Sequence, residues 1–217
     1  MSRIAIIGGH GKIALRAARI LTAAGNEVTG IIRNPDHAAD VAATGAVPVI
    51  ADVENLAVDA LGEVLAGHDA IVWSAGAGGG NPVRTYAVDR DAAIRSMDAA
   101  AAVGVDRYVM VSYFGAGPDH GVPEGDSFYA YAEAKAAADT YLAASSLSWT
   151  ILGPSRLIDE PGTGLISVGG RRNPASEVSR DNVAAVIAST LADASTVRRV
   201  IEFDDGSTPI ADAVATA

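Results

Sequence analysis

Cysteine is absent from the 217 residues. That absence removes a disulfide frame, thiol catalysis and any metal site built on thiolates. Basic residues are scarce: 16 Lys and Arg stand against 26 Asp and Glu, a formal net charge of −10. Such a surface repels nucleic acid and anionic membrane, although local dipoles and a few basic residues still allow an anionic cofactor. No uncharged apolar run is long enough to span a bilayer, and with the first strand starting near Arg3 no signal peptide is expected. The expected compartment is the cytoplasm. The four histidines, His10, His37, His68 and His120, have no ligand spacing, so no resident metal is expected. No internal repeat, linker or low-complexity break interrupts the chain, apart from alanine enrichment. What is present, 49% hydrophobic and 19% charged, is a globular composition. The length suits one substantial core, and the expectation is a single domain over residues 1–217.

The informative stretch comes first. An apolar run, Ile4 to Ile7, leads into Gly8-Gly9-His10-Gly11 and then into a helical pattern. The glycines satisfy two overlapping fingerprints, Gly9-x-Gly11-x-x-Ala14 and Gly8-x-x-Gly11-x-x-Ala14. Strand, glycine turn and helix in that order make a dinucleotide site. The bare turn lets a pyrophosphate reach the amides, and the helix dipole points its positive end at it. A tight turn alone needs none of that context. The turn is not a triphosphate P-loop: Lys12 follows Gly11, but the spacer and the Ser/Thr are missing.

Apolar periodicity at Ile13, Ala17, Ile20 and Ala24 marks the first helix, which Gly25-Asn26 ends. A second strand, Glu27 to Ile32, finishes in Arg33, where an NAD site would carry a carboxylate for the ribose. A guanidinium there suits a 2′-phosphate, so the expected cofactor is NADP rather than NAD, against the plain alternative of a solvated arginine. Asp52 falls at the end of a third strand, Val47 to Ala51. It could meet the adenine amino group or cap a helix from about Leu56. After a fourth strand, Ala70 to Trp73, the small residues from Ser74 to Gly80 let a ribose lie against the backbone. Asn81-Pro82 reads as an N-cap and first helical residue, and Met97 as core. A fifth strand, Arg107 to Val111, delivers Ser112. Tyr131 and Lys135, four apart, share a face of the alanine-rich helix that follows. A sixth strand covers Leu147 to Leu152, Gly153 to Ser176 reads as irregular, and a last helix and strand (Val200 to Phe203) close the pattern. The alternation predicts an α/β fold: a Rossmann-type doubly wound parallel sheet with helices on both faces. Segments 113–127 and 153–178 are expected to border the substrate.

At this point the sequence resembles the short-chain dehydrogenases/reductases, and more narrowly their atypical single-domain NAD(P)-binding branch, which includes NmrA-like and flavin/biliverdin-reductase-like proteins. The likeness runs over essentially the whole chain, through IIGGHGKIA, IIRNPD, Asp52-Val53, WSAGAGGG, VDRDAAIRSMDAAAAVGVDRYVMVSYFGA, YAEAK and SLSWTILGPSRL. It implies that Gly8, Gly9, His10, Gly11, Lys12 and Ile13 hold the pyrophosphate. It places Arg33 on the adenosine phosphate, Asp52 and Val53 on the adenine, and Ser74, Ala75 and Gly76 on the ribose. Ser112, Tyr131 and Lys135 match the family's catalytic set. The segment after the sixth strand departs from the family's Arg-Pro-Gly, reading Gly153-Pro154-Ser155 with Arg156 displaced. The chain also lacks the larger C-terminal domain of the sugar-nucleotide epimerases, which disfavours that activity.

The catalytic set has its own physical logic. Hydride transfer to a carbonyl leaves an alkoxide that needs a proton. A tyrosine of pKa about 10 is a poor acid or base near neutrality unless an ammonium favours its phenolate. Lys135 is expected to do that while binding the nicotinamide ribose, with Ser112 polarising the substrate oxygen. Tyr131, Lys135, Ala138 and Leu142 equally make an ordinary sheet-facing stripe. Two functions follow as expectations: an NADP-dependent oxidoreductase acting on a small carbonyl, quinone or flavin-like acceptor, or a non-catalytic NADP(H)-binding redox sensor that binds a protein partner.

Overall fold

A computed structural model describes residues 1–78, 80–170 and 175–217. Strand β1 (Arg3–Ile7) runs through the glycine turn into helix α1 (Lys12–Ala23). Strand β2 (Glu27–Ile32) and the short α2 (Ala38–Ala42) then lead to β3 (Val47–Ile50). Next come α3 (Val58–Leu65), β4 (Ala70–Trp73), α4 (Pro82–Thr85), α5 (Ala93–Ala102), β5 (Arg107–Val111), α6 (Tyr129–Ala144) and β6 (Ser148–Pro154). The chain continues with β7 (Arg156–Ile158), β8 (Leu165–Val168), β9 (Glu177–Ser179), α7 (Arg180–Ala192), β10 (Arg199–Asp205), β11 (Thr208–Pro209) and α8 (Ile210–Ala215).

Among the described residues, nine strands form one sheet in the order β11-β8-β10-β6-β5-β4-β1-β2-β3. From β10 to β3 every pairing is parallel. β1 lies between β2 and β4, with Ile4 opposite Val28 on one side and Ala70 on the other. Being covered on both faces, its residues from Ile4 to Ile7 are all buried, which is why that run reads as continuously apolar. Side chains alternate across the strand. Ile4 and Ile6 face a core shared with Ala14, Ala17 and Leu21 of α1 and Val183 and Ile187 of α7. Ala5 and Ile7 face the opposite core, with Leu61 and Leu65 of α3, Met97 of α5 and Leu142 of α6. Each large apolar side chain buried in these layers contributes roughly 1.5–3 kcal/mol. The doubly wound single domain is therefore present, Met97 is core, and Asn81 caps α4 by accepting from the Arg84 amide at 3.2 Å.

Three expectations need correction. Gly153 to Ser176 is not simply irregular. It contains β7, paired in parallel with β9, and β8, which runs antiparallel between β10 and β11. These strands are too short to show a period, and their partners lie far along the chain. Asp52 does not cap α3, which begins later with Ala57 at its N-cap; its carboxylate instead accepts from the Glu54 amide and the Asn55 side chain, closing a turn. The helix after Asn81 is interrupted, because Tyr86–Ala92 is wound as a π-helix. That wider winding leaves Asp89 2% exposed. Gly79 and Pro174, both within segments singled out in the sequence, lie outside the described residues. Each edge of the sheet carries a proline, Pro48 in β3 and Pro209 in β11.

Candidate cofactor and acceptor site

The strand order reverses direction between β1 and β4, the switch point where doubly wound sheets take ligands at their carboxyl ends. Gly8 and Gly9 donate their amides to Ile31 O at 3.1 and 2.9 Å, fastening the turn to β2. Gly8 has φ +83°, and a Cβ there would lie 2.6 Å from Ala75 Cα. A Cβ on Gly9 would lie 2.8 Å from Gly30 Cα. Both glycines are thus demanded by close backbone packing. Gly11 precedes α1 and offers no side-chain cap, so among the described residues the first-turn amides of α1 have no side-chain acceptor. Uncapped amides at the positive end of a helix, behind a side-chain-free turn, fit a pyrophosphate.

Gly8, His10, Gly11, Arg33, Asp52, Val53, Ser74, Ala75 and Gly76 line one groove of about 290 Å³. The structure brings these expected residues together. Gly9 packs behind the turn, and Ile13 is buried in the core beneath α1. Lys12 turns its ammonium to Asp159, 2.7 Å away in the segment after β7. Asp159 also meets Arg180 at 3.1 Å, and these cations hold its carboxyl below the usual range. His10 stacks on His37 with ring centroids 3.6 Å apart and bonds Asp40 at 2.9 Å. Arg33 and Arg84 both reach Glu54, at 3.1 and 3.2 Å.

The other end is buried. Ser112 follows β5 and gives its hydroxyl to Asp139 of α6. Lys135 is 1% exposed; its ammonium donates to Val111 O at 2.9 Å and touches the Met110 sulfur at 3.1 Å. Burial pushes Lys135 down, against the attraction of Asp139 and Asp89. It pushes Asp139 up, against Lys135 and the Ser112 bond. Asp89 is also raised by burial, opposed first by the Ala77 amide, which it accepts at 3.0 Å. The Tyr131 phenol is raised by burial and then by the carboxylates Asp89 and Asp139. The expected lowering of that phenol by Lys135 is not found here: the ammonium is engaged with the end of β5, and the phenol is held neutral.

Tyr131 forms a cluster with Tyr113 and Phe128, ring centroids 5.1 to 5.7 Å apart. With Ser112, Phe114, Pro154 and Leu157 these rings wall a cavity of about 520 Å³. A third hollow contains Asp89 and Asn81; it shares Gly76 with the groove and Phe128 and Tyr131 with the aromatic cavity. The three adjoin from Arg33 to Arg156. The Gly/Pro-rich loop beside them is pinned to α6 through His120 and Glu133, 2.8 Å apart. Reasoning from sequence missed Glu54, Arg84, Asp89 and Asp139. Only Asp139 left a signal, lying four residues beyond Lys135 on the same helical face.

Residues 8–194 match a family described as NAD(P)H-binding. The chain belongs to that family. It is 32% identical over 214 residues to YhfK of Bacillus subtilis (strain 168), named an uncharacterized sugar epimerase, with 98% of each chain covered. A solved structure from Bacillus halodurans, provisionally named an NAD-dependent epimerase/dehydratase, shares 30% identity and a TM-score of 0.92 over 100% of both chains. The oxidoreductase ylbE of Lactococcus lactis shares 26% and 0.85, over 99% of this chain and 95% of its own. An NAD(P)H-binding family member with this Rossmann sheet accounts for the glycine turn, the uncapped helix and the groove beside them. Among the described residues, no helix is long and apolar enough to cross a membrane.

Proposed function

We propose that this protein is a cytoplasmic NADP-dependent oxidoreductase that passes hydride to a small carbonyl, quinone or flavin-like acceptor. One observation carries the reading: Ser112 and Tyr131 line the same aromatic-walled cavity, joined to the groove by an intervening hollow. The glycine turn and the first amides of α1, those of Lys12 and Ile13 among them, would hold the pyrophosphate. Arg33 would take the 2′-phosphate, Asp52 and Val53 the adenine, and Ser74, Ala75 and Gly76 the ribose. When bound, the nicotinamide supplies hydride. Aromatic walls, here Tyr113, Phe128 and Tyr131 in edge-on and tilted contact, suit a flat conjugated acceptor. With an acceptor bound, the Ser112 hydroxyl would turn its one hydrogen from Asp139 to the acceptor oxygen, and the neutral Tyr131 phenol would give that oxygen a proton. Lys135 supplies the positive charge at this end and fixes Val111, the residue before Ser112. Segment 113–127 and the described parts of 153–178, residues 153–170 and 175–178, border the acceptor.

The test is NADPH oxidation across aldehydes, ketones, quinones and free flavins. At least one acceptor should be reduced; no consumption with any of them sinks the reading. A second reading, a non-catalytic NADP(H)-binding regulator, is favoured by one feature: Lys135 is spent on Val111 and gives Tyr131 no support. That protein would capture a partner differently with NADP⁺ and with NADPH. An epimerase, as two relatives are named, would interconvert sugars with no net change in nicotinamide absorbance.

A further inference from the structure

The adenosine groove contains more charge than Arg33 alone. Arg33 Nη1 and Arg84 Nε donate to the same oxygen of Glu54, Oε2, at 3.1 and 3.2 Å. Oε1 accepts no hydrogen bond from any described residue, and all three side chains line the groove. Glu54 is the least exposed of them, its side chain 19% exposed against 55% for Arg33 and 36% for Arg84. Its backbone is anchored on both sides: its amide donates to Asp52 at 3.3 Å, and its carbonyl accepts from Arg95 at 2.8 Å. Arg84 is fixed independently by donating to Ala77 O at 2.8 Å. The groove therefore presents a fixed carboxylate between two guanidiniums, with one carboxylate oxygen to spare.

We propose that Glu54 and Arg84 set which adenosine ribose the groove accepts. The Glu54 carboxylate takes the 2′-hydroxyl of NAD(H), and Arg84 joins Arg33 on the 2′-phosphate of NADP(H). The inference rests on the reading that this groove holds a dinucleotide. A carboxylate accepts from a ribose hydroxyl and repels a phosphate dianion, whereas a guanidinium donates charge-assisted hydrogen bonds to that phosphate. With both chemistries in one groove, each nucleotide finds a partner. Discrimination is then weaker than Arg33 alone would give, because Glu54 occupies the donors a phosphate needs.

Calorimetric titration of NAD⁺ and NADP⁺ into wild type, Glu54→Gln and Arg84→Met tests this, with thermal melts confirming that each variant is folded. Glu54→Gln keeps an oxygen acceptor for the arginines but removes the charge. It should weaken NAD⁺, tighten NADP⁺ and move their affinity ratio about tenfold or more toward NADP⁺. Arg84→Met should move the ratio the other way by a comparable factor, chiefly through NADP⁺. An unchanged ratio in both variants overturns the proposal while leaving the nucleotide site standing. Equal weakening of both nucleotides by Glu54→Gln also overturns it, since Glu54 would then serve only the turn. If neither nucleotide binds wild type at millimolar concentration, this inference and the underlying reading fall together.

Discussion

At the adenosine end, the side chains of Arg33, Arg84 and Glu54 keep 55%, 36% and 19% of their surface in solvent. At the acceptor end, Lys135, Asp89 and Asp139 keep 1%, 2% and 8%. Exposed ion pairs contribute little and rearrange readily, so Arg33 can exchange a protein carboxylate for a ligand phosphate at small cost. Buried charges do not exchange so freely. Desolvation is severe, and removing one partner leaves the others uncompensated. One end presents charge that solvent, and therefore a ligand, can reach, Arg33 above all. The other fixes the protonation of its groups by withholding water, and the two upward-shifted carboxyls and the neutral Tyr131 phenol follow from that.

The largest break between the two ends should come from Tyr131→Phe, which removes the proposed proton donor and keeps the ring in its cluster with Tyr113 and Phe128. Turnover of a carbonyl acceptor should fall by about 10²–10⁴ with NADPH affinity nearly unchanged, read from steady-state rates beside a binding titration. Equal rates for both proteins on every active acceptor would remove Tyr131 from the mechanism. Gly11→Val attacks the opposite end. A Cβ there already lies 3.2 Å from Gly8 O, and the branched side chain intrudes where the phosphate must approach. NADPH affinity should drop by about two decades, while the melting temperature falls far less. A variant that binds like wild type would place the phosphate site elsewhere.

Arg33→Ala should cost NADPH about 1.5–3 kcal/mol, one to two decades, and leave NADH nearly untouched. Competitive titration of the two reduced cofactors reads this directly; an unaltered preference would mean Arg33 is merely solvated. The smallest effect is a trend with pH. Burial raises Asp139, with Lys135 and Ser112 opposing. A carboxyl raised in the folded state adds stability below its unfolded value near 3.9 and loses it as pH climbs through the folded value. Asp139→Asn removes that loss. Relative to wild type the variant should gain stability as pH rises from about 4 toward neutrality, followed by thermal unfolding across the range. A constant difference between the two proteins would show that Asp139 is ionised throughout.

The adenosine end was also the more legible in sequence. Strand, glycine turn and helix follow one another within a few residues, and local order alone identifies them. Arg33 could be placed because it directly follows β2. Glu54 and Arg84 could not, since one sits in a turn and the other in the first turn of α4, and only the folded chain joins them. At the acceptor end, spacing showed that Tyr131 and Lys135 share a face. It did not show where the ammonium goes, because Val111 belongs to β5, before a long loop. Asp89 was hidden for a different reason: π-helical winding breaks the 3.6-residue period by which inward positions are counted. The β7–β9 pair and the antiparallel edge were invisible because strands of two to four residues carry no alternation to read.

The two prolines at the margins of the sheet have an effect on molecules outside it. A border strand with free amides and carbonyls is a template on which another chain can pair. β3 exposes Val47 at 63% and Ile50 at 50%, an apolar border that would invite such pairing. Pro48 sits between them and has no amide hydrogen to offer. On the far side, β11 is two residues long, and one of them is Pro209. A strand arriving at either margin meets an interrupted row of donors, so the sheet is poorly suited to lengthening from one molecule into the next.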